Sequence, residues 1–95
     1  MTFGERLKKM RNLQKMTQQQ LASRIGVAKS VVSYYESGER FPSYDVLIRI
    51  SKTFGTSIDY LLGQERERTL DVSGLKEEEI VAIQHLVDII REKEQ

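Results

Sequence analysis

"TQQQLASRIGVAKSVVSYYESG", residues 17–38, holds two short helical patterns divided by one glycine, and the fold is decided by how they are read. Thr17 and Gln20 fit a capping box, in which a hydroxyl and an amide three residues on satisfy each other's free backbone donors. Leu21 and Ile25 then recur at helical spacing until Gly26, the residue a left-handed helix terminus prefers. Beyond it, residues 28–37 placed on a wheel at about 100° per residue separate into two sides. Ala28, Val31, Val32 and Tyr35 share one; Lys29, Ser30, Ser33, Tyr34 and Ser37 share the other. One tyrosine turns inward and its neighbour outward. The outward side combines small hydroxyls, a lysine and a phenol, with no acid. Such a face can approach a phosphate-lined groove closely and offer donors to base edges. A face that is only solvated more usually mixes Glu and Lys.

Working outward, the same signals recur. Thr2 with Glu5 fits a second capping box, Pro42-Ser43 precedes an apolar-periodic run with Asp45 in its first turn, and Thr56 or Ser57 can open a further helix. Gly26, Gly38, Gly55 and Gly63 each fall where a pattern stops. These predict helices at 3–14, 18–25, 29–36, 44–54 and 57–62, and short connections make them an all-α domain over residues 1–63. Spacing places Phe3, Leu7, Met10, Leu21, Ile25, Leu47, Ile50, Phe54, Ile58, Leu61 and Leu62 in its core. Residues 64–74 lack apolar periodicity and alternate in charge, as a linker would. The C-terminal segment, 75–95, holds one amphipathic helix from 75 to 92, with Glu77, Glu78 and Glu79 in its first turn and Arg91 and Lys93 at its end, matching the helix dipole.

Composition narrows the function. The 95 residues suffice for one small domain with an appendage. The net charge of +1 hides an asymmetry: residues 1–63 carry ten Lys/Arg against five Asp/Glu, leaving +5, while residues 64–95 carry five against nine, leaving −4. A basic first part and an acidic tail suggest a polyanion partner for the first part only. No cysteine is present, which fits a reducing compartment. No signal-peptide core follows Met1 and no apolar run approaches the roughly 20 residues of a membrane span, so a cytoplasmic location away from membranes is expected. One histidine, His85, on the polar side of the last helix, no glycine-rich phosphate loop and no pair of inward carboxylates leave no constellation for catalysis. No enzyme activity, cofactor or metal is expected.

Residues 18–37 resemble the helix-turn-helix of the phage repressor and Cro-like (XRE) family. The likeness rests on Gln18, Leu21-Ala22, Gly26, Val27, Val32-Ser33 and Tyr35-Glu36-Ser37-Gly38, and continues through Arg40, Pro42 and Leu47 to "IDYLLG" at 58–63. It spans residues 3–63. It implies a five-helix repressor-like domain, and a buried ion pair of Arg11 with Glu36 tying the first helix to the end of the recognition helix. The chain departs from the pattern at Ala28, where relatives often have Ser or Thr as the helix cap. The expected function is a sequence-specific transcriptional regulator of double-stranded DNA, most simply a small dimeric repressor of a palindromic operator. Lys29, Ser30, Ser33 and Tyr34 are assigned to base edges. Gln18, Gln19 and Ser37 are assigned nearer the DNA backbone, with Arg40 and Tyr44 gripping phosphates beyond the recognition helix.

The tail divides the readings. Aliphatics fill about half the circumference of its last helix, and Ile80, Ile83, Val87 and Ile90 follow a short a/d seam with Leu86 beside it. Such a face must be covered, either by its own domain or by the same helix of a second subunit. Dimerisation through these five residues is the expectation that suits DNA binding, because two-fold dimers read two half-sites. An antitoxin, whose acidic C-terminal segment binds a toxin as protein partner, is the alternative; action through protein contacts alone is a third.

Overall fold

The structure, a computed structural model, describes residues 1–64 and 70–94. Among these residues there are six helices and no strand: α1 (Phe3–Leu13), α2 (Gln18–Ile25), α3 (Lys29–Ser37), α4 (Tyr44–Phe54), α5 (Ile58–Leu61) and α6 (Glu77–Glu94). The start signals work as chemistry. The Thr2 hydroxyl accepts from the Glu5 N–H at 3.1 Å, and Thr17 and Gln20 close a full reciprocal box at 3.0 and 2.8 Å. Ser43 and Ser57 cap α4 and α5 with the hydroxyl half of that exchange alone, accepting from the Val46 and Tyr60 N–H groups. Gly26, Gly38, Gly55 and Gly63 all carry positive φ, so each stop uses the backbone freedom that only glycine has at no steric cost.

The core is formed by Leu7, Met10, Met16, Leu21, Ala22, Ile25, Val32, Tyr35, Val46, Ile50, Phe54 and Leu61, with Leu47 also buried. Phe3 and Ile58 are only half-buried, Phe3 packing on the core's edge. Leu62 corrects the expectation: it is 38% exposed, because α5 is a single turn ending at Leu61 and Leu62 points outward as its cap. Met16 joins the core from a loop. Both of its backbone groups are held by Arg11, whose carbonyl accepts the Met16 N–H at 3.0 Å and whose guanidinium donates to the Met16 carbonyl at 2.7 Å.

One contact fixes α1 against α3. A Cβ on Gly4 would collide with the Glu36 carbonyl oxygen and sit 2.6 Å from that of Tyr35. Only a glycine lets the two helices approach so closely.

Of the predicted linker 64–74, residues 65–69 lie outside the described residues, as does Gln95 of the C-terminal segment. The described part of the linker beyond residue 69 is tethered to the domain. The Asp71 N–H donates to the Gly55 carbonyl at 3.1 Å, pinning the segment to the end of α4. The Ser73 N–H donates to the Asp71 carboxylate at 2.9 Å. Bonding by the Ser73 side chain and then its backbone holds that carboxyl below its ordinary range. The last helix begins at Glu77 rather than 75, since the Glu79 carboxylate takes the Lys76 N–H at 2.8 Å and Gly74 turns the chain just before. It also runs on to Glu94.

No close helix packing involves α6, whereas α1 to α5 pack on one another. The radius of gyration is 15.0 Å, against about 12 Å for a compact chain of this length. The apolar side of α6 is left largely open: Leu86 is 57% exposed and Ile90 49%, while Ile80, Ile83 and Val87 are half-buried. Broad coverage by its own domain, one of the two ways the sequence allowed, is not what the structure has.

Candidate nucleic-acid interface

The site is built on α3, and α3 is held by an ionic hub. The Arg11 guanidinium grips Glu36 with two parallel bonds, Nε to Oε2 at 2.6 Å and Nη2 to Oε1 at 3.0 Å. Both side chains are buried to about nine-tenths or more, at 10% and 5% exposure. The third arm of the fork reaches Met16, and the Gln18 amide donates to Glu36 Oε1 at 3.1 Å. One carboxylate thus ties α3 to α1 and to the start of α2. At the other end of α2, Arg49 of α4 donates to the Ile25 carbonyl at 3.0 Å, bracing the turn at Gly26. The angle between α2 and α3 is set by groups that are themselves bonded.

This frame presents the side of α3 expected from the wheel. Lys29, Ser30, Ser33 and Ser37 are exposed, Tyr34 is half-buried, and Val32 and Tyr35 lie in the core. Ala28 has the extended backbone of an N-cap, φ −74° and ψ 154°, with no side-chain bond to the helix start.

The three glutamines do three different things. Gln20 closes the capping box, Gln18 is half-buried and bonded to Glu36, and Gln19 is exposed with no side-chain hydrogen bond among the described residues. Gln18 has a second amide N–H for an outside acceptor, so a phosphate contact is compatible with its place in the hub. Ser37 donates its hydroxyl to the Tyr34 carbonyl at 3.2 Å and accepts from the Glu39 N–H at 3.4 Å, which shapes the turn after α3.

That turn brings together two residues placed in separate groups by the sequence. The Arg40 N–H donates to the Tyr34 carbonyl at 3.2 Å, and the Arg40 guanidinium lies 4.8 Å from the Tyr34 ring centroid. A cation stacked on an aromatic face is steadied without losing its outward donors. Beyond it, Tyr44 is 69% exposed at the start of α4. Phe41 was missed by the sequence reading. It is 60% exposed, with its ring 5.0 Å from that of Phe3, and stands between Arg40 and Tyr44. The signal available was an aromatic outside any helical period, next to a proline.

Residues 7–61 match the family described as Helix-turn-helix. The chain belongs to that family, in its phage-repressor (XRE) branch. This helix-turn-helix chain is 43% identical over 67 residues to the uncharacterized HTH-type transcriptional regulator YqaE of Bacillus subtilis, covering 70% of itself and 58% of that relative. Among solved structures it is similar to the phage P22 c2 repressor in complex with a synthetic operator. That match has a TM-score of 0.66 and 32% identity, and covers 68% of this chain and 98% of the repressor chain. A transcriptional regulator from Listeria innocua matches with a TM-score of 0.64 and 34% identity, over 94% of this chain and 92% of that one. Among the described residues, no helix of this family member is long and apolar enough to cross a membrane.

Proposed function

We propose that this chain is a sequence-specific regulator that binds double-stranded DNA as a homodimer in the cytoplasm, most simply as a repressor. The observation that carries the reading is the outward side of α3, where Lys29, Ser30 and Ser33 stand exposed with no acid between them and the Tyr34–Arg40 stack closes one end. Lys29, Ser30, Ser33 and Tyr34 reach base edges in the major groove; a well-made Lys to guanine contact carries about 1–3 kcal/mol of discrimination. Gln18, Gln19, Ser37, Arg40 and Tyr44 lie along the flanking phosphates, and the exposed Phe41 ring lies against sugar. The net +5 of residues 1–63 supplies the non-specific attraction to the duplex. The P22 c2 repressor's complex with an operator supports this assignment by likeness of fold and sequence.

A single α3 reads only a few base pairs. Two copies related by a two-fold reach half-sites about 34–36 Å apart on one face of the duplex. Selection of bound sequences from random DNA tests the reading. A palindrome with half-sites at that spacing is the expected result, and enrichment of no sequence would overturn it.

A further inference from the structure

The direction of pairing is written on α6. At about 100° per residue, Leu86 lies at the centre of the helix's exposed apolar side. Ile83 and Ile90 lie on one flank and Ala82 and Ile89 on the other, while Glu79 and Lys93 sit about 20° to either side of the centre line, seven residues before and seven after Leu86. The apolar positions are therefore symmetrically placed about Leu86, and the charges at the two ends are opposite. Leu86, Ile89 and Ile90 are 57%, 38% and 49% exposed, and no helix of the domain packs closely over them.

We infer that this side docks on the same side of a second copy of the chain, with the two α6 helices antiparallel. It rests on the dimeric reading above and adds its geometry. Turned end for end about Leu86, the second helix brings its Leu86 against Leu86, the partner's Ile90 beside Ile83, the partner's Ile89 beside Ala82, and the partner's Lys93 beside Glu79. By symmetry each charged contact occurs twice. The small Ala82 leaves room for the isoleucine opposite. A parallel pair would set Glu79 against the partner's Glu79 and Lys93 against the partner's Lys93; like charges at both ends disfavour that arrangement. Complementary charge fixes the orientation, and aliphatic burial supplies the attraction.

The chain has no cysteine, so introduced thiols report without background. Full-length Leu86→Cys, oxidised mildly in the absence of DNA, is expected to cross-link to itself, since position 86 lies at the two-fold. Glu79→Cys and Lys93→Cys are expected to cross-link to each other when mixed, and neither to itself when oxidised alone. The mixed pair keeps one intact Glu79–Lys93 contact at its other end. Self-linkage of Glu79→Cys and Lys93→Cys would mean parallel helices. Absence of any linkage, with the parent sedimenting as a monomer, would mean that α6 does not pair. Either result overturns the inference. Because no DNA enters the experiment, neither touches the DNA-binding reading; a chain that cross-links as expected yet enriches no sequence would sink that reading and leave the pairing standing.

Discussion

Arg40 and Tyr34 act as a unit, and a pair of substitutions separates the ring from the hydroxyl. Tyr34→Phe keeps the stack under the guanidinium 4.8 Å away, whereas Tyr34→Ala removes it. Loss of an exposed cation–π contact is worth about 0.5–1 kcal/mol. Tyr34→Ala is therefore expected to weaken binding to every sequence by a few-fold, and Tyr34→Phe to change only the preference at the base proposed for its hydroxyl; competition binding against single-base operator variants reads both. Lys29→Ala and Arg40→Ala should differ in the same assay. The first relaxes preference at one position by about 1–3 kcal/mol. The second weakens all sequences alike and lowers the salt slope by about 1. Equal behaviour of the two across a salt titration would contradict the assignment of base and phosphate contacts.

At the scale of the element, the weak point of α3 is its start. Ala28 already has the backbone of an N-cap but no oxygen to accept the free N–H groups of the first turn. Ala28→Ser should raise stability by about 1 kcal/mol, seen as a higher midpoint of thermal unfolding. An unchanged midpoint would show that those donors are satisfied otherwise. The close approach of α1 and α3 gives the opposite sign. Gly4→Ala drives a methyl into two backbone carbonyls, which cannot rotate away as a side chain can. A cost of about 1–3 kcal/mol is expected from such overpacking, measured by urea unfolding. Gly55→Ala is the control, because its site is open and only its φ of 62° resists.

Across the whole molecule, Glu36 joins what sequence separates by up to 25 positions. Glu36→Ala strands the buried Arg11 guanidinium and frees the Gln18 amide, and is expected to cost about 3–5 kcal/mol of stability in chemical unfolding. A loss below about 1 kcal/mol, the range of surface pairs, would mean that the hub is solvated. The proposed dimer makes its own prediction. Inserting half a helical turn of DNA, about 5 base pairs, between two half-sites turns them to opposite faces of the duplex. Affinity should fall to that of an isolated half-site in a mobility-shift titration.

The stretch 17–38 determined by itself where α2 begins and ends, the limits of α3 to within one residue, and that Tyr35 turns in while Tyr34 turns out, because caps, glycine stops and helical period act between residues three or four apart. The likeness of that stretch to phage repressors also supplied the Arg11–Glu36 pair. Tertiary structure alone decided that Gln18 joins that pair, that Gly4 must lack a side chain, that Met16 enters the core from a loop, that Leu62 leaves it, and that Arg40 returns over Tyr34. It also left the apolar side of α6 open. Each of these depends on how closely two distant parts of the backbone approach, and a periodicity confined to one helix carries no record of that distance.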